Sequence, residues 1–112
     1  MLSSREVSSV ELLEHFVERN SRLHDQLNAI VTLDLNRAFE TAKSVDDRRA
    51  GNLGTGLLEG LPMTIKDAIA VEGVRSTGGA VELRDHVPSR DAEVVSALRT
   101  VSYTHLTLPT KA

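Results

Sequence analysis

The chain has 112 residues, with 13 basic and 16 acidic side chains and a formal charge of −3. This length fits one domain at most. The charges are mixed along the chain, which gives no basic stripe for direct nucleic-acid binding. The absence of cysteine excludes disulfides and thiolate chemistry. Without a long apolar run or a secretory leader, we expect a cytoplasmic protein that has no membrane partner.

The first predicted element is a helix that opens with a capping box. Ser8 and Glu11 have the spacing at which each caps the other's backbone N–H, and apolar residues then recur at helical intervals. This pattern predicts a helix over Ser9–His24. The short β-branched run Ala29–Leu33 follows, and it is typical either of a strand or of an extended linker.

A second helix is predicted over Leu35–Arg49. Asp34 stands where an N-cap is expected, and Gly51 can close the other end. The glycine-rich stretch Gly51–Gly56 has no Lys-Ser/Thr ending and no strand before it, so we interpret it as a flexible connection rather than a phosphate-binding loop. Asp46 and Asp47 are expected on a solvated face of the helix rather than as an acid–base pair.

The remaining predicted elements are a strand, a loop and a third helix. Met63–Ala68 has a short apolar strand pattern, and the glycine-containing segment Glu72–Pro88 is typical of a loop. Ser89 can cap a helix over Arg90–Thr100. The alternation of helices and strands predicts an α/β fold whose sheet is incomplete within this chain.

The last residues of the chain, Val101–Ala112, do not continue the patterns that precede them. They carry a single charge, and the run Val101–Thr110 also reads as the translation of a transposase adapter used in sequencing libraries. We therefore predict that residues 1–100 form the N-terminal part of a domain and that residues 101–112 are a non-native tail. A natural polar tail is the alternative.

Lys66 is the candidate catalytic residue. Lysine is among the residues least often buried, yet Lys66 lies inside the apolar segment 63–69. An ammonium group with a pKa near 10.4 is a poor base at neutral pH, and desolvation lowers the pKa of lysine. Two interpretations remain open from the residues alone: a lysine made neutral for proton transfer, or a structural lysine paired with a carboxylate such as Asp67.

Several segments in order resemble the amidase signature family. Each segment is weakly specific, but their order and spacing together are highly specific, and they extend over nearly all of Met1–Arg99. The matching segments are Ser8–Leu13, Leu27–Val31, Leu61–Asp67, Ser76–Gly79 and Val87–Arg99.

The resemblance implies a fold in which helices surround a mixed sheet, of which this chain is an N-terminal fragment. It also implies hydrolysis of a small-molecule carboxamide by a Ser–cis-Ser–Lys mechanism without metal or cofactor. Lys66 matches the family's lysine. The family's two serines lie downstream, and Ser76 lacks their paired arrangement. The chain alone is therefore expected to be inactive. The scattered His15, His24 and His86 indicate no metal site either.

Two other functions remain open. One alternative is that the parent protein is the A subunit of a glutamyl- or aspartyl-tRNA amidotransferase, a related member of the same family, which implies partner subunits. An alternative of another class is a small, non-catalytic helical binding module. A homo-oligomer is compatible with each of these functions.

Overall fold

A computed structural model describes residues 2, 4–51, 58–102 and 108–110. None of the helices in these ranges is both long enough and apolar enough to cross a membrane. The elements, in chain order, are helix α1 (Ser9–Leu27), helix α2 (Leu35–Ala50), strand β1 (Thr64–Lys66), a 3-10 turn (Val81–Leu83), helix α3 (Glu93–Ser102) and strand β2 (Leu108–Thr110).

The N-terminus of α1 is capped twice. The predicted capping box is confirmed, since the Glu11 N–H donates to Ser8 Oγ at 3.0 Å and the Ser8 N–H donates to Glu11 Oε2 at 3.1 Å. The second cap comes from α2, where the Asp46 carboxylate accepts the N–H groups of Ser9 at 2.7 Å and Val10 at 3.1 Å. The expectation that Asp46 is solvated is therefore wrong, whereas Asp47 is exposed as predicted.

Helices α1 and α2 pack through a small apolar cluster. Alanine at two contact positions of α2 leaves room for the side chains of α1, so the helices approach closely. Both helices extend beyond their predicted C-terminal ends, α1 to Leu27 and α2 to Ala50. Asn28 ends α1 in the left-handed conformation. The cluster consists of buried Leu13, Ala38 and Ala42, with Val10, Val17 and Phe39 packed against it.

The start of α2 differs from the prediction. Asp34 makes no side-chain cap; its carboxylate accepts a hydrogen bond of 2.6 Å from Arg37 Nε instead. Arg37 also donates a hydrogen bond of 3.0 Å to the Glu72 carbonyl, which connects α2 to the turn after β1.

The segment 29–33 forms no strand, so the linker interpretation is the correct one. Gly51 closes α2 by donating to the Asp47 carbonyl at 3.1 Å, and the predicted connection beyond it, residues 52–56, lies outside the described residues.

A second apolar cluster joins β1, the turn after it and α3. Helix α3 begins at Glu93 rather than Arg90, so Ser89 is not its cap. Asp91, just before the helix, accepts hydrogen bonds from Arg99 Nε at 2.6 Å and from the Glu72 N–H at 2.8 Å. The cluster contains buried Ile65, Val71, Val74 and Val95, with Met63, Ile69, Ala92 and Leu98 around it.

The two strands pair in parallel. Ile65 of β1 lies opposite Pro109 of β2, and Lys66 lies opposite Thr110. Strand β1 is shorter than the predicted Met63–Ala68. Strand β2 and the last turn of α3 fall within residues 101–112, which were left out of the sequence-based fold prediction. The non-native origin of that segment stays a prediction, because strand pairing does not report where a sequence came from.

Candidate active site

The alternation of side chains along β1 places Lys66 on the surface. Successive residues of a strand point to opposite faces. Ile65 points into the second apolar cluster and is 8% exposed, whereas Thr64 and Lys66 are exposed. Of the two interpretations left open for Lys66, the described residues therefore do not form the desolvated site. The apolar neighbours in the sequence pack on the other side of the strand and do not cover the ammonium group.

The charged residue that is buried is Asp67, the neighbour of Lys66 in the sequence, which is 2% exposed. Its carboxylate accepts two hydrogen bonds from Thr77: one from the N–H to Oδ1 at 3.1 Å and one from the hydroxyl to Oδ2. Its carbonyl oxygen accepts a hydrogen bond from the Ser76 hydroxyl. Asp67 therefore binds the Ser76–Gly79 loop through both its side chain and its main chain.

These hydrogen bonds decide the protonation state of Asp67. Burial by itself raises the pKa of a carboxyl group because it disfavours the charged form. The hydrogen bonds from the Thr77 side chain and backbone, together with the backbone N–H groups of Gly79 and Gly78, outweigh burial and hold the pKa of Asp67 below its usual range. Asp67 is consequently an anion at neutral pH.

Lys66 and Asp67 do not form an ion pair. Of the ion pairs formed within residues 4–51 and 58–102, none includes Lys66, and the Asp67 carboxylate is occupied by Thr77. The Lys66 carbonyl accepts a hydrogen bond of 2.9 Å from the Ile69 N–H, so the strand ends in a tight turn at this residue. The interpretation of Lys66 as a structural lysine paired with Asp67 is therefore not supported.

A cavity of about 230 Å³ lies beside the Asp67–Thr77 contact. Two exposed arginines, Arg75 and Arg84, contribute to its wall. The cavity thus has two guanidinium groups and the Asp67 carboxylate in its wall. It is lined by Val31, Asp67, Arg75, Thr77, Gly79, Ala80, Val81 and Arg84.

A second buried carboxylate was not predicted from the sequence. The Glu59 side chain is fully buried and forms an ion pair with Arg48 of α2. Arg49 next to it donates to the Glu59 carbonyl at 2.6 Å and to Ser9 Oγ at 2.9 Å. This cluster joins α1, α2 and the segment before β1, so we interpret it as structural.

The sequence contained a signal for Asp67 but none for Glu59. Asp67 stands two residues after Ile65, at the spacing of one face of a strand. The partners of Glu59 lie about ten residues away on another element, and no local pattern indicates them. In the described part of the chain, no three His, Asp or Glu side chains converge as metal ligands do.

Comparison with known sequences identifies the family. A sequence model of the Amidase family matches residues 11–106, which include Lys66, Asp67 and the Ser76–Gly79 loop. The chain belongs to the amidase family. The resemblance found in its ordered segments is thereby confirmed.

Among curated amidase relatives, the A subunit of the glutamyl-tRNA(Gln) amidotransferase of Aromatoleum aromaticum is 42% identical over 99 residues. The corresponding protein of the same name from Heliobacterium modesticaldum is 38% identical over 99 residues. Both alignments cover 88% of this chain and 20% of the relative. The chain therefore spans about a fifth of the length of the curated relatives it matches.

Solved amidase structures contain the same arrangement of elements. A peptide amidase from Stenotrophomonas maltophilia superposes with a TM-score of 0.86 at 25% identity, over 97% of this chain and 22% of that one. A bacterial aryl acylamidase of the amidase signature family gives a TM-score of 0.82 at 25% identity, over 97% and 23%. The predicted fold class, part of an α/β amidase signature fold, is confirmed.

Proposed function

We propose that this chain carries the catalytic lysine of an amide-hydrolysing enzyme, with Lys66 as the group that transfers the proton. The observation that carries the proposal is the family match over residues 11–106, which contain Lys66 at the end of β1. Lys66 is exposed there, and its ammonium group has no ion-pair partner among the described residues. It is therefore accessible to a reacting group.

In the proposed reaction, a serine hydroxyl attacks the amide carbonyl and forms an acyl-enzyme. Lys66 accepts the hydroxyl proton through a second serine and returns it to the leaving amine. Water then releases the acid, so one amide and one water give one carboxylic acid and one amine. Both serines are expected outside this chain. Ser76 is no substitute, because its hydroxyl is bound to the Asp67 carbonyl.

Proton acceptance also requires that Lys66 be shielded from water, and the described residues leave it exposed. We infer that other parts of the complete amidase domain cover it. This inference agrees with the small share of each relative that the chain spans. It is also the reason to expect no activity from residues 1–112 alone. The cytoplasmic location stays a prediction.

A second candidate is the A subunit of a tRNA-dependent amidotransferase. Its support is specific, because relatives at 38% and 42% identity carry that name. Such a protein would use the same amide cleavage to release ammonia from glutamine, and it would act with partner subunits. The family match gives no support to the third alternative, a non-catalytic helical module.

The test begins with the source DNA across the Thr100–Val101 junction. We expect a reading frame that continues into a Gly/Ser-rich segment with two serines. Its product should hydrolyse carboxamides, and Lys66→Ala should lower kcat by about 10²–10⁴-fold, the usual contribution of a positioned acid or base. Lys43→Ala, at an exposed lysine of α2, is the matched control and should keep full activity.

Three results would contradict these proposals separately. A genomic frame that stops at Ala112, or full activity in Lys66→Ala, would exclude the catalytic role. Lys66-dependent hydrolysis by purified residues 1–112 would exclude the expected inactivity of the short chain. Co-purification of the complete product with amidotransferase partners would favour the second candidate, and activity of the product alone would favour the first.

A further inference from the structure

Asp67 uses all of its hydrogen-bonding oxygens on one short loop. Its carbonyl accepts from Ser76, and both carboxylate oxygens accept from Thr77. The residue is buried, and the charge of the ionised carboxylate strengthens the two bonds from Thr77. Asp67 therefore accepts three hydrogen bonds from the consecutive residues Ser76 and Thr77. These bonds fix the position of the loop and of the Asp67 backbone.

The backbone that Asp67 fixes is also that of Lys66. The two residues share a peptide group, and the carbonyl of that group, from Lys66, accepts the Ile69 N–H at 2.9 Å. The bonds from Ile69 and Ser76 therefore act on the two peptide groups that directly follow the Cα atom of Lys66. Asp67 is buried and the Lys66 side chain is exposed, so Asp67 can hold this backbone while Lys66 stays accessible.

Thr77 completes the anchor. Its hydroxyl donates to Asp67 Oδ2 and accepts the Gly79 N–H at 3.1 Å. The loop then turns through Gly78 and Gly79, whose φ angles of 59° and 83° favour glycine. The hydroxyl thus links the carboxylate to the conformation of the whole Ser76–Gly79 loop.

We propose that Asp67 is a positioning residue that holds Lys66 in place for proton transfer by anchoring the Ser76–Gly79 loop through Thr77. The proposal rests on the proposed amide hydrolysis. Asp67 does not touch the substrate, and it neither gives nor takes a proton in the reaction. The lowered pKa of Asp67 agrees with this role, because the carboxylate stays charged across the neutral range.

The experiment uses the product of the complete reading frame and compares Asp67→Asn with Thr77→Val and Thr77→Ser. An amide at position 67 keeps the size but only one acceptor oxygen. We expect Asp67→Asn and Thr77→Val each to lower kcat by up to about 100-fold with little change in KM, since small displacements of a catalytic group have effects of this size. Thr77→Ser keeps the hydroxyl and should retain activity. Asp85→Asn, at an exposed aspartate between this loop and α3, is the matched control.

Coupling between the two residues tests whether Asp67 acts through Thr77. If Asp67 acts through Thr77, the double variant Asp67→Asn/Thr77→Val should lose no more kcat than either single variant. Should Asp67→Asn fail to fold, the comparison of Thr77→Val with Thr77→Ser still tests the proposal, because both keep the carboxylate and the N–H bond.

The outcomes distinguish the two proposals. Loss of activity in Lys66→Ala together with unchanged kcat in Asp67→Asn or Thr77→Val would overturn the positioning role and leave the proposed function intact. Multiplicative losses in the double variant would likewise overturn it. Full activity in Lys66→Ala would overturn the proposed function, and the positioning role with it.

Discussion

Gly60 is the position where a single added methyl group should be most damaging. Its φ is 90°, and a Cβ there would overlap Ser9 Oγ and approach Arg49 Nη1 to 2.9 Å. Those two atoms are hydrogen-bonded to each other at 2.9 Å. Gly60→Ala must therefore strain the backbone and also separate Arg49 from Ser9, which joins α2 to the start of α1.

Gly73 offers a matched control for the backbone effect alone. Its φ is 76°, and a Cβ there would meet only Arg37 Nη1, at an ordinary contact distance of 3.8 Å. Alanine at positive φ costs about 1–2 kcal/mol, which both variants should share. Loss of one hydrogen bond to the charged Arg49 adds about 1.5–3 kcal/mol at Gly60 only, for a total of about 2.5–5 kcal/mol.

Native-state hydrogen exchange is the suitable assay, because it reports the free energy of local opening amide by amide. We expect the slowly exchanging amides of α1 and α2 to lose about 2.5–5 kcal/mol of protection in Gly60→Ala and about 1–2 kcal/mol in Gly73→Ala. Equal losses of protection in the two variants would refute the prediction that the added Cβ breaks the Arg49–Ser9 hydrogen bond at a measurable cost. That hydrogen bond would then not contribute to holding α1 against α2.

Two further predictions concern carboxylates. Asp46→Ala removes the cap that α2 supplies to α1, so we expect α1 to lose about 1–2 kcal/mol of protection, whereas Asp47→Ala at the exposed neighbouring position should have little effect. Equal effects would contradict the capping role. Burial raises the pKa of Asp91, but the hydrogen bond from Arg99 and that from the Glu72 N–H outweigh it and hold the pKa below its usual range. Its stabilising contribution is therefore complete above the ordinary aspartate value of about 3.9 and is lost as the pH falls through the lower pKa of the folded chain. Titration of unfolding with acid should show a smaller loss of stability in Asp91→Asn, and an identical acid response would contradict the assignment.

The helices were predictable because their signals are local. The capping box at Ser8 and Glu11 and the apolar spacing after it fix the start of α1 within a few residues. The start of α2 at Leu35 was predicted correctly for the wrong reason, since Asp34 binds the Arg37 side chain rather than a backbone N–H. The segment 29–33 has strand-like composition but gains no strand partner among the described residues.

The site was predictable only in part. The ordered segments were sufficient to assign the chain to the amidase family, and the family match confirms that assignment. The catalytic role of Lys66 stays a prediction. The exposure of Lys66 could not be decided from the sequence, because apolar neighbours in the sequence do not say which face of a strand they cover. The buried residue is Asp67. Its buried carboxylate is stabilised by hydrogen bonds from Thr77, which lies ten residues further along the chain.

The sequence alone therefore determined the family, the helices and the position of the lysine, since each depends on residues close together or on a pattern along the chain. Tertiary structure decided which charges are buried and what they bind. Asp46 caps α1 across a separation of 37 residues, and Arg49 meets Ser9 across 40. Such contacts form only when packed helices bring distant backbone groups within hydrogen-bonding distance, and a buried polar group is stable only when it finds such a partner.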